Sequence, residues 1–379
     1  MSGKINSAES IRGLACLAVV FSHLAMSFFP YLHHFDANDT TELAWVNALH
    51  HAPFGFLYSG DAAVFVFFVL SGFVLSYAIL KSPDQFSYKI KSMMIKRYPR
   101  LMIPALTSCL IIWSVFKVIH IDSHLVGGWL QAFTAQNFSL KQAFYEGTIS
   151  AFLFSDSQIN WVLWTMTIEL MGSFVLFFLL YLYHHQKIAF FIASLLIPCL
   201  AYYWRGQGFC FGISSFIFGM YIYLYAKPLK NYSAVIMLLI GLYLAGAHNT
   251  SAAYSWVHHF LGESTYDYCN FFAGVLIVYS ILMNPLLSKN LDRAFLVWLG
   301  KLSFSIYLLH LLMLYLICIP LFNLFSSWQW NYSLSVLVSA SGAILMTLFI
   351  ANLYSRYVDQ FAITASNWLA NTVLGKDPK

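Results

Sequence analysis

The chain of 379 residues is 60% hydrophobic and only 9% charged, with a formal net charge of +5. Soluble domains carry about 25% charged residues, so a water-facing surface is excluded. The basic residues are dispersed between apolar runs and form no patch, which excludes nucleic acid as the partner and leaves membrane topology as the reason for the charge.

A helix crossing a hydrocarbon core of about 30 Å needs roughly 20 apolar residues. In chain order, the segments that reach or approach that length are 11 to 31, 57 to 80, 101 to 121, 161 to 183, 188 to 204, 209 to 226, 232 to 248, 266 to 283, 295 to 321 and 333 to 354. No long polar linker interrupts them. The predicted fold class is therefore all-α, a polytopic integral membrane protein of about ten transmembrane helices in a single domain over 1–379. The first run, Gly13 to Tyr31, competes with a cleavable signal peptide. Its length, the Arg12 and His23 it carries, and the lack of a small-residue cleavage site favour a retained helix.

With a cytoplasmic N-terminus, seventeen of the twenty Lys and Arg fall on the cytoplasmic side, Lys4, Lys376 and Lys379 among them, and Lys117, Lys141 and Arg205 lie on or near the other. This bias follows the positive-inside rule, and an even helix count places both termini in the cytoplasm. The outer stretch 122 to 160 is too apolar for plain loop. Its aromatic residues, Trp129, Phe133, Phe138, Phe144, Tyr145, Phe152 and Phe154 among them, read as interfacial helices or a lid over an external cavity. The six cysteines sit in or beside apolar runs without a CxxC pair or zinc spacing, and no HExxH is present, so no metal is expected.

Ionisable groups at bilayer depth cost about 2.5 to 3.5 kcal/mol each on insertion scales and ordinarily face a cavity. Arg12 and His23 are eleven residues apart in RGLACLAVVFSH, about three helical turns and some 16 Å along one face. The alternative is a snorkelling Arg and a core His. Lys96, Arg97 and Arg100 in KIKSMMIKRYPRLMIP either grip phosphates, which guanidinium forks match, or simply make a cytoplasmic loop basic. Glu169 in NWVLWTMTIELMGSF shares a face with Thr165; an interfacial belt accounts for Trp161 and Trp164 but not for the carboxylate. In SFSIYLLHLLM, Ser303, Tyr307 and His310 line one stripe, either a site or a hydrogen-bonded packing seam.

These residues carry a resemblance to acyltransferase family 3, membrane acyltransferases that modify carbohydrates and other exported hydroxyl compounds. In order, the similar pieces are SIRGLACLAVVFSH with its Arg-x10-His spacing, FVFFVLSGFVL containing Ser71 and Gly72, IKRYPRLMIP, WTMTIEL with Trp164, and SFSIYLLHLLM. They cover roughly residues 6 to 360. Two departures stand out: Phe65 where many members have Asp, and Val358, Asp359, Gln360 where many have a Glu-x-Pro.

The resemblance implies transfer of an acyl group, commonly acetyl, from cytoplasmic acyl-CoA to a hydroxyl of a carbohydrate or glycolipid across the membrane. It implies O-acetylation in a cell envelope, with a location in the bacterial cytoplasmic (inner) membrane. On that reading His23, Glu169 and His310 are catalytic. Arg12, Lys96, Arg97 and Arg100 hold the acyl-CoA, and Ser71, Trp164, Ser303 and Tyr307 support them. Besides acyl-CoA, the partners are the sugar acceptor and membrane lipid. The competing class is a proton-coupled transporter or flippase, in which the same buried groups relay protons without covalent chemistry. The absence of sequence repeats speaks against it.

Overall fold

A computed structural model describes residues 2–375 of the chain; Lys376 and Lys379 and the side chain of Lys4, counted above as cytoplasmic, lie outside what it describes. All regular elements among the described residues are helical. The main ones are α1 (Ser2–Phe28), α2 (Gly60–Leu80), α3 (Phe86–Val118), α4 (Gly128–Thr134), α5 (Met166–His185), α6 (Lys187–Arg205), α7 (Gln207–Tyr225), α8 (Asn231–Ala245), α9 (Thr265–Leu282), α10 (Ala294–Met313), α11 (Tyr332–Tyr354) and α12 (Gln360–Val373).

Nine helical stretches among the described residues are long and apolar enough to cross a membrane, and the protein is a multi-pass membrane protein. The tenth predicted segment, 232 to 248, is α8. With 15 residues it rises about 22 Å, short of a hydrocarbon core. The predicted segment 101 to 121 is the apolar part of a longer helix: α3 begins at Phe86, because the basic stretch from Lys89 to Arg100 continues the same helix. Hydropathy alone detects only the portion that lipid or protein covers.

Close backbone approach sets the centre of the bundle. α1 packs along α10 and α2, and α7 packs along α2. At the first crossing a Cβ on Gly300 would overlap the carbonyl of Glu9, and one on Gly13 would lie 2.7 Å from the backbone N of Gly300. Small residues at helix crossings let backbones meet where lipid supplies no hydrophobic drive. Because Gly300 meets Glu9 and Gly13 near the start of α1, while His310 meets His23 further along, the two helices run in the same direction.

The stretch 122 to 160 folds as α4, two further short helices (Leu140–Tyr145 and Ala151–Leu153) and a π-helical turn, Glu146–Ser150. Buried Glu146 fastens it, accepting from Gln142 Nε2 at 2.7 Å, Ser157 Oγ at 3.1 Å and the backbone N–H groups of Gln158 and Ile159 at 2.8 and 2.9 Å. Four donors from the stretch thus converge on one buried carboxyl group. At the other end the N–H of Gly127 donates to Ser27 O at 2.7 Å, which seats α4 one turn past His23.

Candidate active site

α1 and α10 bring two histidines together 287 residues apart in sequence: His23 Nδ1 lies 2.7 Å from His310 Nε2. The ring planes differ by 9° and the centroids are 4.9 Å apart, a separation that leaves room only for an in-plane, edge-to-edge hydrogen bond. Its direction follows from the neighbours. His310 Nδ1 faces the carbonyl of Ile306 at 3.1 Å, and a carbonyl only accepts. Neutral His310 therefore carries its proton on Nδ1 and accepts at Nε2, so His23 donates from Nδ1. The lone pair of His23 is left on Nε2. His310 is fully buried and His23 half-buried.

An aromatic wall closes over His23. Trp129 of α4 lies parallel to the imidazole, with centroids 5.0 Å apart and planes 11° apart. Trp161 meets Trp129 edge-on at 5.3 Å. In the sequence Trp129 is one of several aromatics in the stretch 122 to 160, and Trp161 reads as part of an interfacial belt. Trp164, the family-like tryptophan, instead lies on the exposed side of the same turn. Tyr307 donates to Val162 O at 2.9 Å and lies 3.1 Å from Thr165 Oγ1, which ties α10 to that turn. Ser303, one turn earlier, is buried, and its carbonyl accepts from the Cys16 thiol at 3.2 Å.

Glu169 stands apart from the imidazoles, in an ion pair with Arg97 of α3. Their side chains are only 12% and 15% exposed for Arg97 and Glu169. Ser71 of α2 donates to Glu169 Oε1 at 2.8 Å, and Arg97 Nε donates to Ser173 Oγ at 2.7 Å. Three helices thus meet on one carboxylate, and at least two guanidinium N–H groups are committed to protein.

Arg12, Lys96 and Arg100 gather near the start of α1. Arg12 pairs with Glu9 at 3.2 Å. Arg100 is exposed and lies within electrostatic reach of Arg97, Arg12, Glu9 and Asp359, and Lys96 within reach of Arg100. Asp359 belongs to the π-helical turn Ser355–Asp359, accepts from Ser305 Oγ at 2.6 Å, and keeps a buried Oδ1 without a hydrogen-bond partner. In the sequence this residue registers only as a departure from the Glu-x-Pro pattern. Such π turns recur where a helix re-aims side chains at functional sites.

A second histidine layer lies past the end of α1. His248 Nδ1 donates to Gly246 O at 3.0 Å, and its Nε2 lies 3.2 Å from His33 Nδ1. His33 Nε2 in turn lies 3.2 Å from Ser22 Oγ. Burial favours the neutral form of these rings, pushing His33 down to about 4 and His248 down to about 3 and also lowering His50. Among the described residues no group of three His, Cys, Asp or Glu side chains is placed to hold a metal ion.

A family model described as an acyltransferase domain matches residues 5–356. The O-acetyltransferase PaAT-1 of Phomopsis amygdali is 21% identical in an alignment 427 residues long, which covers 97% of this chain and 84% of that protein. No solved structure matches the chain.

Proposed function

The chain belongs to acyltransferase family 3, and from that premise we propose that it transfers an acyl group, most simply acetyl, from cytoplasmic acyl-CoA to a hydroxyl of a carbohydrate or glycolipid on the other face of the membrane. The observation that carries this reading is the contact of His23 Nδ1 with His310 Nε2, which leaves the other imidazole nitrogen, His23 Nε2, as the base beside an aromatic-walled space.

In the proposed reaction His23 Nε2 removes the proton from the acceptor hydroxyl as its oxygen attacks the thioester carbonyl carbon. The C–O bond forms, the C–S bond of the tetrahedral intermediate breaks, and the proton on Nε2 passes to the departing CoA thiolate. The products are an ester and free CoA thiol, with no net proton released. His310 holds the His23 ring in place and stabilises the transient imidazolium by accepting from Nδ1. An imidazole with an unperturbed pKa near 6.5 suits both halves of this exchange.

The donor phosphates are assigned to Arg12, Lys96 and Arg100. Arg97, held by Glu169, orders the cluster from behind and offers its remaining N–H groups. Arg12 and His23 are separated by about 16 Å along α1, a distance an extended pantetheine arm bridges.

The test is purified protein in detergent, given radiolabelled acetyl-CoA and a deacetylated glycan extract, with no ion gradient. Labelled glycan is the expected product, and a proton-coupled transporter makes none. A His23→Ala protein that transfers at the wild-type rate removes His23 from the chemistry.

A further inference from the structure

Beyond the dyad, the molecule opens a cavity of about 480 Å³ between the C-terminal end of α3, the stretch just after α4, and Tyr315. This volume lies within the range of small-molecule sites, roughly 300 to 1,000 Å³. Three relationships connect it to the chemistry.

The first is position. Tyr315 lies in a π-helical turn, Leu314–Cys318, that continues α10 directly. Five residues after His310, it sits roughly 7 Å further along the axis. The basic cluster, by contrast, faces the beginning of α10, where Gly300 meets Glu9 and Ser305 meets Asp359. Donor cations and cavity therefore lie on opposite sides of the histidine pair.

The second is a continuous aromatic wall. Tyr315 meets Phe116 at 4.6 Å between centroids, Phe116 meets Phe133 at 5.6 Å, and Phe133 meets Trp161 at 5.5 Å. Trp161 then meets Trp129, which covers His23. The side of the cavity is thus the same sheet of rings that encloses the base.

The third is the lining. Four of the ten lining residues are aromatic and five are polar. Tyr315 spends its hydroxyl on the backbone, donating to Ile119 O at 2.7 Å and accepting from Ile121 N at 3.1 Å, so it offers only its ring. Lys117 gives one of its three protons to Asn137 Oδ1 at 2.8 Å and keeps two. His120 and Gln136 add further polar heads. An acyl chain or apolar alcohol would use the rings alone and make no hydrogen bond to these heads. A pyranose matches both halves, with C–H faces for rings and hydroxyls for amide and ammonium groups.

We infer that this cavity is an acceptor subsite, and that it holds a sugar residue next to the one whose hydroxyl faces His23 Nε2. The inference rests on the acyl-transfer reading above and narrows it: the acceptor is a chain of at least two sugars, and this subsite distinguishes a glycan from a lone monosaccharide.

The experiment compares the deacetylated surface glycan of cells that make the protein, offered intact and as monosaccharides after complete hydrolysis, with labelled acetyl-CoA and the detergent-purified full chain. For the wild type, the expected KM per sugar is at least about tenfold lower for the intact glycan, the worth of a few added contacts. The exposed pair Lys117→Ala with Asn137→Ala, and the cavity-filling Asn137→Trp, are each expected to raise the glycan KM about tenfold and erase the preference. The KM for acetyl-CoA stays as it was. Lys141→Ala, exposed on the same outer segment but away from the cavity, is expected to behave as wild type. Variants that keep the wild-type glycan KM overturn the subsite, as does a wild type that uses monosaccharides equally well. A wild type that acetylates small alcohols but no glycan overturns the sugar assignment and leaves acyl transfer standing. A wild type that transfers acetyl to none of these acceptors sinks the reading beneath it.

Discussion

His310 Nε2 accepts the Nδ1 proton of His23 across 2.7 Å, and the Ile306 carbonyl fixes that direction by accepting the one ring proton of His310, on Nδ1. The pair is built like a base and its orienter, with an imidazole where a carboxylate often serves. Replacing His310 by Ala frees the His23 ring to turn and leaves its Nδ1–H unpaired. A fall in kcat of about a hundredfold or more is expected, in the range of positioned base catalysis, with the KM for acetyl-CoA little changed. His310→Gln, whose side-chain oxygen still accepts, should recover part of the rate. Equal losses in both variants would deny the orienting role.

The Arg97 and Glu169 pair calls for a different measurement, because it joins α3 to α5 and, through Ser71, to α2. Glu169→Gln strands a guanidinium in a largely covered place. The expected cost is about 3 kcal/mol, the low end for breaking a buried pair, seen as a thermal midpoint several degrees lower in detergent. Adding Arg97→Gln should return part of that stability, since the uncompensated charge is gone. Single variants that melt with the wild type would mean the pair is solvated and structurally idle.

What the sequence made legible was whatever helical periodicity encodes. Arg12 and His23 share a face of one helix by spacing alone, and the ten apolar segments each fall on helical stretches, α3 running longer and α8 shorter than its segment and 295 to 321 continuing past α10 through the turn Leu314–Cys318. The meeting of His23 with His310 is not encoded that way, because it depends on Gly13 and Gly300 letting two distant helices touch. Ser303, Tyr307 and His310 do share a stripe, but that stripe faces Cys16, the Val162–Thr165 turn and His23 in succession. The placement of Trp129, of Trp161, read as part of an interfacial belt, and of Asp359, read as a departure from a pattern, was hidden for another reason. An aromatic in an aromatic-rich stretch, or an acid beside a helix end, is ordinary until the fold aims it.

The second histidine layer gives the protein an acid-sensitive element. Burial holds His33 at about 4 and His248 at about 3, below the ordinary value near 6.5. Between those values the opened layer binds more protons than the closed one. Its stabilisation is therefore complete above about pH 6.5 and declines as pH falls, by up to about 1.4 kcal/mol per pH unit for each ring. Hydrogen exchange in 30–34 and 246–254, corrected for intrinsic rates, should accelerate on moving from about pH 7.5 to about pH 5. The acceleration should shrink in His248→Asn. Protection that ignores pH would show these rings to be solvated.

Gly300 is where stability and chemistry are coupled. A methyl at this position would occupy the space of the Glu9 carbonyl, and backbone cannot swing aside as a side chain does, so α1 and α10 must separate. The cost expected for Gly300→Ala is about 1 to 3 kcal/mol, as for overpacking a well-filled contact. The displacement also carries His23 away from His310, and a near-attack geometry tolerates little of that: a misplacement of about 1 Å costs on the order of a hundredfold in rate. Activity should therefore fall more steeply than the thermal midpoint, with acetyl-CoA still bound. Gly128→Ala serves as the comparison, since nothing lies within 4 Å of a Cβ built there, and it should alter neither quantity. If Gly300→Ala lost stability while keeping its full rate, the two histidines would not need their present spacing, and the dyad would cease to be the site of chemistry.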